Sequence, residues 1–571
     1  VAWLVCPDLS FAQEKSTPEH EFKDYFRSPL DIPLILSGNF GELRPNHFHS
    51  GIDIKTQGIE GKKVYCVAEG YVSRIKISLN GYGKALYVTH PNGYTSVYAH
   101  LKSFNPELTA YIRRMQYAKE SYTIELFPKA GQFTLQKGDI VGLSGNSGGS
   151  MAPHLHFELR ETRSERPVNP LLFNFDITDN IPPVLRSLSI YPLNEASSVD
   201  GSSQRKDYAL VKTPQGYRLN SPRKPKVKGQ LGFGIETYDL LNGAGNHCGI
   251  YSISLSQNET PLFTHEMKRF SFYETRYMNA HMDYGRYVTQ KRKTQRSFLL
   301  KNNRLSTYTQ LANRGILESK AGETYRMFYE VKDTYGNTSS LLFEVEGDTS
   351  DAPIRKSTRQ KNEVAYFKCD EKNSFQNDDL ILYLPENILY EDLHLTLWED
   401  QALPGAITPT YRIQDESVPL HSYMMLSLKV KDIDDNIRKK ALVVSHTKKD
   451  GIYAEGGTWK GDYIVVKTRS FGGYAVMVDT TAPSIRPINI GPNENMSKKW
   501  SIMVKIADNL SGIKSYRPKV DGKWILMEYD KKRNLLTHYF DEHITPGKHV
   551  FELEVIDEVG NQSTYKAEFI R

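Results

Sequence analysis

The sequence predicts a mainly β protein: an antiparallel β-sheet domain near the N-terminus followed by several β-sandwich modules. Short runs rich in Val, Ile and Tyr recur between turns containing Gly, Pro and Asn. Tyrosine is abundant, at 35 residues, and aromatics reach 11%. A segment pattern also repeats after Pro170. The 571 residues are enough for three or four domains of ordinary size. With 39% hydrophobic and 25% charged residues, wholesale disorder is excluded. The net charge of +6 is slight for this length; it suits an acidic surface or polyanionic polymer and gives no sign of nucleic-acid binding. No apolar run is long enough for a transmembrane helix. Cys6, Cys66, Cys248 and Cys369 are far apart and form no C-x-x-C, so they read as small buried hydrophobes.

Val1–Cys6 reads as the end of an apolar signal-peptide core. Ser10-Phe11-Ala12 places small residues where a signal peptidase cleaves. Residues 1–12 are therefore expected to be a partial signal peptide, with export to the periplasm or cell envelope. A lipid anchor at Cys6 is disfavoured by the bulk of Val5. Residues 13–34 are polar and Pro-containing and read as a linker.

Residues 35–170 form the first expected domain. Val64–Ala68, Gly70–Ile75 and Ala85–His90 read as strands, with turns at Gly81-Tyr82-Gly83 and Pro91-Asn92-Gly93. Pro106 opens a helical stretch through Tyr117, and strands resume at Gly138–Gly142. Residues 171–350 and 479–571 carry the repeat. Asp179-Asn180-Ile181-Pro182-Pro183 answers Asp479-Thr480-Thr481-Ala482-Pro483; Asp239 to Gly249-Ile250 answers Asp508 to Gly512-Ile513; Asp333–Asn337 answers Asp557–Asn561. Both copies resemble bacterial immunoglobulin-like domains, the first with an insertion holding Lys291-Arg292-Lys293. Residues 351–478 read as a further β module.

Six of the 16 histidines fall between residues 47 and 156. On a strand His154 and His156 share one face, while Leu155 and Phe157 share the other and can face a core. His49 and Asp53 would lie roughly 13 Å apart on a straight strand, so both reach one ion only if Ser50-Gly51 bends the chain. His47 forms a second His-x-His with His49, and spacing does not say which of the two faces the site. Two histidines and a carboxylate leave a coordination position open, as in a catalytic zinc site. The iron oxygenase pattern of similar ligands is disfavoured by the three residues between His49 and Asp53. No His-Glu-x-x-His is present, since Arg269 stands where the second His would follow His265-Glu266, so another histidine must serve as base. His100, in Tyr98-Ala99-His100-Leu101, and His154 are the candidates. His90, before Pro91, reads as structural, and Glu158 as a salt-bridge partner behind the site. Asp432–Asn436 lacks the turn glycine of a calcium loop, with Ile437 in its place.

These motifs, in order, resemble those of the lysostaphin/LytM-type zinc endopeptidases: Gly51-Ile52-Asp53, the Gly81-Tyr82-Gly83 turn, Tyr98–Leu101, Ser144-Gly145-Asn146-Ser147-Gly148, Pro153–Glu158 and the closing Val168-Asn169-Pro170. The resemblance covers about residues 40–170. It implies that His49, Asp53 and His156 bind Zn²⁺, that His100 and His154 assist catalysis without binding it, and that the reaction is amide hydrolysis in peptidoglycan cross-bridge peptides. The stretch around 105–135 is less typical of the family and would reshape the cleft. The later modules are expected to position the enzyme, with an envelope protein as a further partner. The alternative is a non-catalytic envelope scaffold or activator that keeps the fold for binding.

Overall fold

The computed structural model describes residues 25–355, 362–447 and 451–571. The expected signal segment, Cys6 and most of the expected linker lie outside the described residues.

The N-terminal part is organised by a nine-stranded sheet. Its strands include β1 (Leu36–Gly38), β2 (Ile52–Lys55), β3 (Gly70–Ile77), β4 (Lys84–Thr89) and β5 (Tyr94–Ala99). After helix α1 (Pro106–Lys119) come β6 (Ile124–Leu126) and β7 (His154–Glu161). The spatial order is β1-β2-β7-β5-β4-β3-β6, antiparallel throughout. Strand β7 therefore returns from far along the chain to lie between β2 and β5. Alternation along β7 buries Leu155, Phe157 and Leu159 completely on one face and presents His154, His156, Glu158 and Arg160 on the other.

The expected helix is present and extends two residues beyond Tyr117. Asn105 caps it by accepting from Leu108 N–H, Pro106 occupies the first turn, and Glu120 ends it in the left-handed conformation. Its Leu108 and Ile112 pack into the same core as Ile52, Ile75, Tyr98 and Phe157. Two strands are shorter than the sequence suggests. Only Lys63–Tyr65 of the first run is extended, and the run after Gly138 begins at Ile140. Gly138 itself has a φ of 97°, which ends the extended conformation there. Within the expected linker, Phe26, Leu30 and Leu34 join the core, because these apolar residues cover an end of the sheet that would otherwise meet water.

The rest of the chain is also β, so the mainly β class holds throughout. Strands between Val184 and Gly347 form one twelve-stranded sheet, a difference from the separate sheets of a small sandwich. The cause is the 13-residue strand Lys226–Tyr238, which pairs with Val184–Pro192 and, at its other end, runs parallel to Thr338–Gly347. Residues 363–478 fold as two sheets of six and five strands, and residues 484–570 as two of four and five. Each of these regions has its own apolar cluster. A further cluster joins Phe40, Leu43 and Phe48 to Met267, Phe270 and Met278. Cys66, Cys248 and Cys369 are free and buried, as expected. The basic runs are engaged within the chain: Arg292 pairs with Glu236 and Lys224 with Glu344. Asp434 caps a short helix, Asp435–Arg438, where the calcium-loop resemblance fell.

Candidate metal centre

Register assembles the site. His156 on β7 stands opposite Asp53 on β2 and opposite Ala99 at the end of β5, one residue before His100. The chain bends between His49 and Asp53, as their separation requires. His49 Nε2 then comes within 3.2 Å of Asp53 Oδ1. The bend depends on Gly51: a Cβ there would lie 2.2 Å from the Phe157 carbonyl oxygen. Ligand atoms of His49, Asp53 and His156 all lie within 4.8 Å of one another, and all three residues are buried. His47 points outward and donates from Nδ1 to the Pro45 carbonyl at 2.8 Å, so of the two it is His49 whose ring lies in the cluster.

Each imidazole is held by one nitrogen, and those of His49, His154 and His156 turn the other toward Asp53. His49 Nδ1 donates to the Asn39 carbonyl at 2.8 Å. His100 Nδ1 donates to the Ser147 carbonyl at 2.9 Å, and His154 Nδ1 to the Ala152 carbonyl at 2.8 Å. His156 has Glu158 Oε1 at 2.7 Å from Nε2, while its Nδ1 faces Asp53 Oδ1 at 2.8 Å and His49 Nε2 at 3.1 Å. His154 Nε2 lies 3.4 Å from Asp53 Oδ1, and the His100 ring centroid 4.8 Å from that of His154. His100 adopts a φ of 58°, a turn that carries its ring back over the end of β5.

Arg44 and Asn39 carry no sequence motif. Arg44 pairs with Asp53 Oδ2 at 2.5 Å, leaving Oδ1 turned toward the histidines. Glu158 is fully buried and accepts from Ser50 Oγ at 2.6 Å, the Tyr82 hydroxyl at 2.5 Å and Arg160 Nε at 2.7 Å. Its expected place as a salt-bridge partner behind the site matches this network. His90 is structural, with Nδ1 to the Glu69 carbonyl and Nε2 to Ser96 Oγ.

Electrostatics follow from burial among charges. Burial alone would raise the Asp53 carboxyl, but His49 and hydrogen bonds from His154 and His156 hold it well below the usual carboxylate range. Burial opposes a proton on His156, yet the Asp53 and Glu158 carboxylates on its two nitrogens raise it to about 9. A cation at the centre would compete with that proton. Burial, together with His156 and His154, pushes His100 down to about 3, so it stays neutral. Two imidazoles and a carboxylate with open, converging donor atoms fit a divalent metal of borderline softness.

A peptidase family M23 model matches residues 47–124, and a Zu5-like domain model matches residues 364–479. The first match stops short of His154 and His156; pairing of β7 with β2 and β5 joins them to the matched segment. An "Uncharacterized metalloprotease" of Haemophilus influenzae is 32% identical over 158 residues, 26% of this chain and 27% of the relative. A DD-carboxypeptidase/endopeptidase of Neisseria meningitidis is 30% identical over 147 residues, 24% of this chain and 27% of the relative. A peptidoglycan DD-endopeptidase of Vibrio cholerae is 28% identical over 162 residues, 27% of this chain and 31% of the relative. The chain thus spans under a third of the length of the curated relatives it matches. Among solved structures, the lysostaphin catalytic domain of Staphylococcus simulans aligns at 22% identity, covering 25% of this chain and 92% of that one, with a TM-score of 0.19. On its N-terminal match and the curated relatives, the chain contains a segment similar to peptidase family M23.

Proposed function

We propose that this chain is an exported zinc metalloendopeptidase that hydrolyses amide bonds in peptidoglycan cross-bridge peptides, with His49, Asp53 and His156 as the ligands. The observation that carries the reading is the convergence of open donor atoms from these residues, each ring oriented by a fixed acceptor on its far side. When bound, the ion supplies Lewis acidity and an acidified water. The chain's own groups do the rest. Arg44 and Glu158 hold Asp53 and His156 in the geometry that presents Oδ1 and Nδ1. Neutral His100, with Nδ1–H committed to Ser147, offers Nε2 to take a proton from the attacking water and return it to the leaving amine. His154, with Nδ1–H committed to Ala152, stands beside it on the same rim, placed to stabilise the developing oxyanion once protonated. The peptidoglycan substrate is supported by the similarity to the Vibrio peptidoglycan DD-endopeptidase, and export by the signal-like segment before residue 13. Residues 171–571 are read as immunoglobulin-like and β modules that position the enzyme on an envelope partner or polymer.

Incubation of the full chain with purified sacculi, followed by identification of newly freed amino and carboxyl groups, tests this. New peptide termini support the proposal. Tight binding without new termini would favour the scaffold reading.

A further inference from the structure

The repeat seen in the sequence brings three aspartates together in each copy. Asp179, Asp239 and Asp333 each offer a carboxylate oxygen within 4.8 Å of the others, and so do Asp479, Asp508 and Asp557. The third aspartate is built into its turn in the same way both times. Asp333 Oδ1 accepts from Tyr335 N–H and Asn337 N–H, and its Oδ2 accepts from Asn337 Nδ2, which also donates to the Asp179 carbonyl. Asp557 makes the same bonds with Val559 and Asn561, and Asn561 Nδ2 reaches the Asp479 carbonyl.

The two copies differ in what meets the negative charge. In the second, Ser511 N–H donates to Asp479 Oδ2 at 3.0 Å, and Leu510 and Gly512 N–H donate to Asp508 Oδ2. In the first, no residue of the longer loop between Asp239 and Gly249 stands in for Ser511 or Gly512; the Leu240 N–H is the one loop donor that meets Asp239. Asp239 is only 2% exposed, yet its Oδ1 has no hydrogen-bond partner, and neither has Asp179 Oδ2; in the second copy Asp508 Oδ1 alone is left without one. Among the described residues no Lys, Arg or His pairs with any of these three carboxylates. Like charges buried together without a partner are strongly unfavourable unless a proton or a cation joins them.

We propose that Asp179, Asp239 and Asp333 hold a calcium ion. The donors are all oxygen, which selects a hard cation, and they come from irregular loops, which suit the flexible geometry of calcium better than the strict octahedron of magnesium. The buried, unpartnered oxygens of Asp239 and Asp179 give the ion its place at this cluster rather than at its better-satisfied counterpart in the second repeat.

The position gives the ion a structural task. The loop that starts at Asp239 sends Leu241 and Cys248 into the core of the N-terminal sheet. Its Gly249 exchanges two hydrogen bonds of 2.7 Å with the Asn39 side chain. The Asn39 carbonyl is the acceptor that orients His49. Calcium therefore fixes the foot of a loop that braces a side chain of the metal centre. This last consequence rests on the role proposed for His49; the calcium site itself does not.

The test is calcium uptake by the full chain, stripped of divalent ions and measured by equilibrium dialysis beside Asp239→Asn and Asp508→Asn. Wild type is expected to bind with a Kd of about 10⁻⁴ M or tighter, within the range of extracellular calcium modules. Asp239→Asn is expected to lose this uptake at least tenfold, and Asp508→Asn to retain it. Thermal unfolding adds a second readout. Without calcium, Asp239→Asn should be at least as stable as wild type, because it relieves repulsion; with calcium at about ten times Kd the order should reverse. If Asp239→Asn does not fold, Asp179→Asn takes its place, and wild-type uptake decides on its own. No uptake by wild type at about 1 mM, the weak end of such modules, overturns the proposal. Uptake unchanged by Asp239→Asn, or tighter binding of magnesium than calcium, does so too.

Discussion

Glu158 Oε1 lies 2.7 Å from His156 Nε2, on the side of the ring away from Asp53. The same carboxylate is fixed by Ser50, Tyr82 and Arg160, so it locks both the tautomer and the angle of the ring. Glu158→Gln is expected to weaken zinc binding by about 10–100-fold, the usual effect of losing such a partner. It should also lower stability, because Arg160 is left buried beside a neutral amide. Zinc titration against a competing chelator reads the first effect and denaturant unfolding the second. Zinc affinity equal to wild type would show that His156 is oriented without Glu158.

His100 and His154 face the centre without sharing the cluster of close ligand atoms formed by His49, Asp53 and His156. His100→Ala and His154→Ala are each expected to retain zinc while turnover falls by roughly 10²–10⁴-fold, the scale of acid–base and oxyanion groups. Metal content and peptide hydrolysis measured on the same samples check this. Loss of zinc in either variant would move that residue into the ligand set.

The last β module reaches the rim of the site. Lys532 Nζ donates to the carbonyls of Asn146 and Ser150. Between them lies Ser147, whose carbonyl orients His100, and Ser150 Oγ lies 3.1 Å from His154 Nδ1. Lys532→Ala is expected to leave zinc content unchanged and to lower turnover on a short peptide, by up to about 100-fold if the histidines shift by an ångström. A rise in turnover would instead mark the contact as a restraint on the cleft.

Much of the site was legible because alternation on a strand is a strict rule. His154, His156, Leu155 and Phe157 took the faces that period two assigns them, and Pro106 announced the helix start. The choice between His47 and His49 was not legible, since it depends on how the Pro45-Asn46 turn and the Gly51 bend rotate two nearly equivalent rings. Arg44 and Asn39 were missed for a related reason: they act through a single side chain or carbonyl brought close by folding, which leaves no periodic trace. The aspartates of the repeat were visible as a pattern, but their convergence was not. The reach of Lys532 to Asn146, 386 positions away, depends on how modules dock, which local sequence does not encode.

The central claim is that His49, Asp53 and His156 hold a zinc ion on which peptide hydrolysis depends. The direct measurement is zinc stoichiometry and turnover in one titration: metal-free full chain is reloaded stepwise with zinc, beside His156→Ala and Asp53→Ala. The account predicts turnover that rises in proportion to occupancy and saturates at one zinc per wild-type chain, with neither uptake at this site nor turnover in the variants. Full zinc uptake by either variant, or wild-type hydrolysis that proceeds without zinc, would contradict it.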